Sequence, residues 1–372
     1  MIALDCETTI SNKGNPYDST NKMVTWSFAT EHSSGSHEVD VPGIQQLVDA
    51  YGELVVGANF KFDKHWFEKI GVVFQEGARY WDVLIAEFVL DYQRNKFPSL
   101  NQAAERFGLK PKLDVVKTEY WEKGIDTDKI PLEILHEYGK YDAELTLKVY
   151  QHQQQVMTPK QKRLVNLMGL DLVILCEMER NGLFFNEELC DQRAKEIDEQ
   201  IDKLNSDLRA IYPTVPINFN SNDHLSAFLY GGVVTEESKE HVGFYKSGAK
   251  AGQPKYKNIT VEHTLPRLYT PLKGSEMQKE GVYSTNAQTL QKLSGKKGLI
   301  TKILELAKLD KLNGTYYRGL PKLRKEMNWE HSVLHGNFNQ TIAATGRLSS
   351  SKPNLQNFAS DLQDIFISRY TT

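Results

Sequence analysis

The opening run of this chain, Met1–Glu7 (MIALDCE), is an apolar strand with carboxylates at core positions. Side chains alternate across a strand, so Asp5 and Glu7 share one face while Cys6 points to the other. Adjacent carboxylates on one face repel unless a cation lies between them. The run reads as the central strand of an α/β sheet, and its acids as part of a cation site.

Two later segments supply matching acids. Glu53–Ala58 (ELVVGA) reads as a second buried strand. After Asn59-Phe60-Lys61-Phe62-Asp63 a helix begins, with Phe62, Trp66 and Ile70 at helical spacing. Asp63 thus falls near a strand-to-helix junction, where an α/β sheet usually places its site. Pro131 starts a further helix, in which Leu135, Tyr138, Asp142, Leu145 and Val149 form one stripe. Asp142 interrupts that apolar stripe, and a buried carboxylate needs a hydrogen-bond donor, a cation or a metal. Tyr138 lies one turn earlier on the same face, where its phenol can hydrogen-bond to whatever the metal holds.

The order D-x-E, then Asn59 with Phe62-Asp63, then Y-x-x-x-D resembles the DEDDy 3′–5′ exonucleases. Trp81-Asp82-Val83-Leu84-Ile85-Ala86 and Pro98-Ser99-Leu100 are similar to that fold's linking segments. The resemblance implies a ribonuclease H-like α/β domain over residues 1–157. It also implies that Asp5, Glu7, Asp63 and Asp142 bind two metal ions, that Tyr138 orients the attacking water, and that Thr8 and Asn59 touch the nucleic acid. Oxygen ligands and a dianionic substrate favour Mg²⁺ or Mn²⁺. Such a pair activates water and stabilises the leaving 3′ oxygen. On this reading Asp5, Glu7 and Asp142 hold one ion. Asp5 and substrate phosphate hold the other, with Asp63 acting through water.

The bulk numbers set the frame. A chain of 372 residues with 40% apolar content supports two or three domains with true cores. Three cysteines (Cys6, Cys176, Cys190) are odd in number and lack metal-ligand spacing, which points to a reducing compartment. The chain starts on a core strand with no signal peptide pattern, and no apolar run approaches membrane-spanning length. The expectation is a cytoplasmic protein with no membrane partner. The net charge of −3 conceals an asymmetry: Glu236–Lys325 holds 18 Lys and Arg against 8 Asp and Glu, leaving the remainder at −13. A basic stretch beside an acidic metal-binding domain suits a phosphodiester substrate.

Beyond Val156–Lys160 the pattern turns helical. Leu172 to Arg180 ends at Gly182, a helix stop. A charged amphipathic helix over Asn186–Tyr212 follows, then a short helix His224–Leu229 with a cap in Asn218–Ser221. Gly231–Glu280 carries Gly and Pro punctuation and reads as an inserted loop or small β element. Helical pattern resumes at Asn286 and continues to Leu320. Asn337–Asn357 concentrates hydroxyls, amides and one arginine, a composition suited to phosphate and minor-groove contacts.

That last run resembles the T-G-R-L-S-S…P-N-L-Q-N signature of family A DNA polymerases, and upstream segments are similar to the thumb and the start of the palm. The resemblance implies a mainly helical thumb over 158–335 with an insertion at 231–280, and a partial α+β palm over 336–372. It places Arg347 near the primer terminus. Thr345, Ser349, Gln356 and Asn357 would lie along the duplex, with Lys308, Lys311, Asn313 and Thr315 on a thumb helix tracking the backbone. DNA is the implied partner, as a single-stranded 3′ end and as primer–template duplex. The palm aspartates and the fingers motifs of that family do not occur in these 372 residues. The expectation is therefore a proofreading half that polymerises only with a second polypeptide. The exonuclease start without a 5′-nuclease domain is similar to phage enzymes, which would place it in a bacterial host's cytoplasm. A processivity factor at 231–280 is a further expected partner. The competing readings are an exoribonuclease of the ribonuclease D type and a non-catalytic DNA-gripping subunit. Asp364–Ser368 (DIFIS) alternates like a strand with an exposed edge.

Overall fold

The computed structural model describes residues 1–112, 114–248, 250–293, 297–358 and 360–368. It divides into two compact units, residues 1–187 with 320–372, and residues 188–319. This division differs from the three consecutive segments read from the sequence: the segment after residue 320 returns to the first unit.

The first unit is built on a five-stranded sheet of β1 (Ile2–Thr8), β2 (Met23–Ala29), β3 (Ser34–Glu38), β4 (Leu54–Gly57) and β5 (Arg79–Asp82). Their order is β3-β2-β1-β4-β5. Strand β2 runs antiparallel to both β1 and β3, whereas β4 and β5 are parallel to β1. The mixed pattern follows from the connections. A loop over residues 9–22 with one 3-10 turn joins β1 to β2 and a short turn joins β2 to β3, while α1 (Val41–Tyr51) and α2 (Phe60–Lys69) provide the crossovers that parallel pairing requires. Strand β1 lies in the middle, with Ile2, Ala3 and Leu4 no more than 1% exposed.

Helices α3 (Val83–Leu90), α4 (Leu100–Arg106), α5 (Val115–Glu119), α6 (Leu132–Val156) and α7 (Pro159–Asn181) complete the layer architecture. Asp82 starts α3 by accepting the amides of Leu84 and Ile85 on Oδ1, and its Oδ2 takes the Phe60 amide of α2 at 2.7 Å. One buried carboxylate thus caps two helices. Helix α6 lies on β1 and β2, and a Cβ at Gly139 would collide with the Ser27 hydroxyl of β2, so glycine permits the approach. Gly182 ends α7 at φ +60, a positive φ that glycine adopts without steric penalty.

The returning segment is stitched to this unit by side chains. Asn328 donates to Asp18, His335 stacks on Tyr17 at 3.9 Å, and Gln340 reaches the Met168 carbonyl. Its signature run forms a small hairpin, Asn337–Asn339 with Ser349–Ser351. The strand expected at Asp364–Ser368 is a 3-10 helix over Ser360–Ile365, followed by a single bridge between Phe185 and Phe366. Ile365 is fully buried but Ile367 is exposed, so alternation failed as a guide: a helical turn, not a pleat, sets which side chains face inward. Arg369 and the residues after it lie outside the described residues.

The second unit contains a long helix (Glu187–Arg209), a short one (Asn222–Tyr230) capped by Ser221, and a helix over Lys297–Leu312 that continues as a π-helical turn, Asn313–Tyr317. The insertion is an antiparallel ribbon, Gly232–Phe244 paired with Pro254–Leu265. Among the described residues, no helix is long and apolar enough to cross a membrane.

Candidate active site

Strand β1 and helix α6 bring Asp5, Glu7 and Asp142 together, with one carboxylate oxygen from each lying within 4.8 Å of the others. Alternation puts Asp5 and Glu7 on the face of β1 that α6 covers, and helical periodicity directs Tyr138 and Asp142 toward it. Asp142 is 3% exposed and Tyr138 2%. Asp5 Oδ2 and Asp142 Oδ1 are buried without a hydrogen-bond partner.

Asp63 lies outside this group of three, but beside it. Its Oδ1 accepts the Cys6 amide at 3.0 Å, which ties the first turn of α2 to the back of β1. Burial raises its pKa, and the neighbouring Asp5 adds to that.

Lys112 supplies the only cation at the cluster among the described residues. Its Nζ pairs with Asp142 Oδ2 at 2.5 Å and sits 4.8 Å from the centre of the Tyr138 ring. The sequence alone does not disclose it. Lys112 lies in an irregular stretch where no periodicity assigns a facing, and Pro111 before it is the only local signal.

The electrostatics follow from this crowding. Burial, then the charge of Asp142, lifts Asp5 to about 7 against a partial offset from Lys112. Glu7 is raised by burial and by Asp5 and Asp142. Asp142 is raised by burial in spite of Lys112, and Tyr138 by burial and then Glu7. For Lys112 itself, burial would lower the pKa, but the carboxylates outweigh it and the net shift is upward. Three close carboxylates with orphaned buried oxygens fit a hard divalent cation, which would satisfy all of them at once.

The residues expected to touch nucleic acid are placed as follows. Asn59 is exposed at the start of α2, whereas Thr8 is buried and donates to the Thr9 carbonyl. Lys308, Lys311 and Thr315 are exposed in the second unit. Asn313 is not: it is 4% exposed and donates to Asp198 at 2.6 Å, so it braces two helices of that unit. Thr345, Arg347, Gln356 and Asn357 are exposed and Ser349 half-buried, and Gln356 also holds the Leu348 carbonyl.

Residues 1–157 match the family model described as 3'-5' exonuclease, and residues 258–369 match that of DNA polymerase family A. The chain is thus similar to DNA polymerase family A over its later part and to 3′–5′ exonucleases over its first 157 residues. DNA polymerase I of Synechocystis sp. is 26% identical over 337 residues, covering 86% of this chain and 29% of that protein. The thermostable DNA polymerase I of Thermus thermophilus is 31% identical over 184 residues, covering 50% and 17%. The chain spans less than a third of the length of these relatives. Its fold is similar to the POL domain of Pol1 from M. smegmatis, solved in complex with DNA primer-template and dNTP. The TM-score is 0.66 at 18% identity, covering 96% of this chain and 52% of the other.

Proposed function

We propose that this chain hydrolyses DNA from its 3′ end, releasing nucleotides, with Asp5, Glu7 and Asp142 as the principal metal ligands. The observation that carries the reading is the three-carboxylate cluster with two buried oxygens left unsatisfied. When bound, two Mg²⁺ or Mn²⁺ ions would lower the pKa of water and stabilise the departing 3′ oxygen. The protein's part is positional. Asp5 would contribute to holding both ions. Asp63, held by the Cys6 amide, acts through water. The Tyr138 phenol, kept protonated by burial, presents a hydrogen bond to the incoming water. Lys112 neutralises Asp142 until the site is loaded.

The exposed Lys308, Lys311 and Thr315, and separately Thr345, Arg347, Ser349, Gln356 and Asn357, are proposed as contacts to duplex DNA. Asn313 is a brace rather than a contact. Synthesis needs the palm aspartates and fingers residues absent from this sequence, which would come from polypeptide outside it, a second chain being the arrangement proposed. The insertion 231–280, with its ribbon of Gly232–Phe244 and Pro254–Leu265, is the proposed seat of a processivity factor.

The test is release of nucleotides from end-labelled single-stranded DNA and RNA, with Mg²⁺ and with chelator. Metal-dependent release from DNA is expected. Preference for RNA would favour the exoribonuclease reading, and no release from either would leave only a DNA-gripping role. Neutralising Lys308 and Lys311 should lower the salt slope of duplex binding by about one unit for each phosphate they no longer neutralise.

A further inference from the structure

Glu179, near the end of α7, is 4% exposed and lies outside the carboxylate cluster. Its Oε1 accepts Lys61 Nζ at 2.5 Å and the Phe338 amide at 2.6 Å. Its Oε2 faces His65 Nε2 at 2.8 Å. A carboxylate only accepts, so Nε2 carries the hydrogen, while His65 Nδ1 meets the Tyr17 hydroxyl at 2.8 Å. Burial by itself would raise the Glu179 pKa, but the bonds from His65 and Lys61 prevail and hold it below the usual range. Unlike the cluster acids, Glu179 is an ionised carboxylate with its donors in place.

Lys61 and His65 are one helical turn apart on α2, and Asp63 lies between them in sequence. Side chains two residues apart point to widely different sides of a helix. One side of α2 is therefore fastened to α7 through Glu179, while Asp63 on another side is fastened to β1 through the Cys6 amide. A helix turns and shifts as a unit, so the hold on Lys61 and His65 sets where the Asp63 carboxylate stands relative to Asp5 and Glu7. Because Glu179 also takes the Phe338 amide, the same carboxylate joins α2 to the hairpin strand Asn337–Asn339.

We propose that Glu179 is a positioning residue for the exonuclease reaction, acting through Lys61 and His65 on the placement of Asp63. The inference rests on the exonuclease reading above. Glu179→Gln keeps the side chain's shape but gives up the charge and one acceptor, which loosens α2 without emptying the site.

The experiment compares the full chain with Glu179→Gln and Glu179→Ala. It reads single-stranded DNA hydrolysis against Mg²⁺ concentration, Mn²⁺ binding by calorimetry, and thermal unfolding. In Glu179→Gln, kcat should fall about tenfold, since misplacement by about 1 Å costs up to a hundredfold. The KM for DNA should stay within threefold, and the Mg²⁺ needed for half-maximal rate should rise severalfold. Mn²⁺ should bind more weakly at undiminished stoichiometry. Glu179→Ala should show the same changes, larger. A merely structural role would lower Mn²⁺ stoichiometry and the active fraction and leave affinity and Mg²⁺ requirement unmoved, which would overturn the proposal. So would a folded Glu179→Gln chain with unchanged kcat and Mg²⁺ requirement. If the unsubstituted chain neither binds Mn²⁺ nor hydrolyses DNA, the exonuclease reading itself falls, and the proposal with it.

Discussion

Two groups of buried carboxylate in the first unit behave in opposite ways. Asp18, wholly buried, accepts hydrogen bonds from Ser11, Asn12, Thr20 and Asn328, with the Thr20 hydroxyl at 2.6 Å and its amide at 2.9 Å. Burial opposes its charge, but these donors outweigh it and hold its pKa at about 2. The cluster of Asp5, Glu7 and Asp142 has few donors, and burial together with mutual repulsion raises its pKa values. Burial alone does not distinguish a structural acid from a functional one. The supply of donors does: a satisfied carboxylate fastens two loops, and an unsatisfied one waits for a cation.

The largest expected effect separates the two by activity. Asp5→Ala with Glu7→Ala should reduce metal-dependent hydrolysis by several orders of magnitude, since both ions lose ligands. It should leave the thermal midpoint of the metal-free chain unchanged or higher, because repulsion is removed. Retained hydrolysis in a preparation free of other nucleases would break the assignment. Tyr138→Phe should cost less, roughly 2–4 kcal/mol of barrier, as expected of one orienting hydrogen bond. It should leave Mn²⁺ binding intact, whereas Asp142→Ala should weaken it. Equal loss of binding in both would make Tyr138 structural.

The same contrast explains what the sequence disclosed. Asp5 and Glu7 are legible because period-two alternation sets the facing of a strand, and Asp142 because it interrupts a helical stripe. Asp18 is not legible. Its partners come from three stretches of chain, Ser11–Asn12, Thr20 and Asn328, and no local period relates them. Lys112 and Glu179 escape notice for the same reason, although Glu179 stands in a segment similar to the polymerase family's. At Ser360–Ile365 the apolar spacing suits a strand and a tight helix equally, and packing decides. Asn313 carries the family pattern, yet its side chain is turned inward on Asp198.

Asp18→Ala should sharpen the comparison from the other side. It removes the acceptor of several partly buried or exposed donors, so a loss of roughly 1–3 kcal/mol in unfolding free energy is expected. Hydrolysis per folded molecule should stay as it was. A large loss of rate at full folding would mean that the loop around Asp18 belongs to the active site.

The smallest effect, and the one most specific to the comparison, is in pH dependence. Asp18 has a folded pKa of about 2 against an ordinary 3.8, so its contribution is complete above 3.8 and is lost as pH falls through 2. Asp5 has a folded pKa of about 7 against 3.8. Between those values the folded chain holds more protons than the unfolded one, so metal-free stability should fall as pH rises from about 4 to 7. The slope for one such proton is at most about 1.4 kcal/mol per pH unit. Saturating Mg²⁺ should flatten or reverse the fall, because the ion favours the ionised cluster. Asp5→Asn should flatten it without metal, while Asp18→Asn should remove only the loss near pH 2–4. Denaturant unfolding across pH, with and without Mg²⁺, reads both arms. A metal-free chain with no loss of stability between pH 4 and 7 would mean that Lys112 already satisfies the cluster, and that the two groups of acids differ less than their hydrogen bonds suggest.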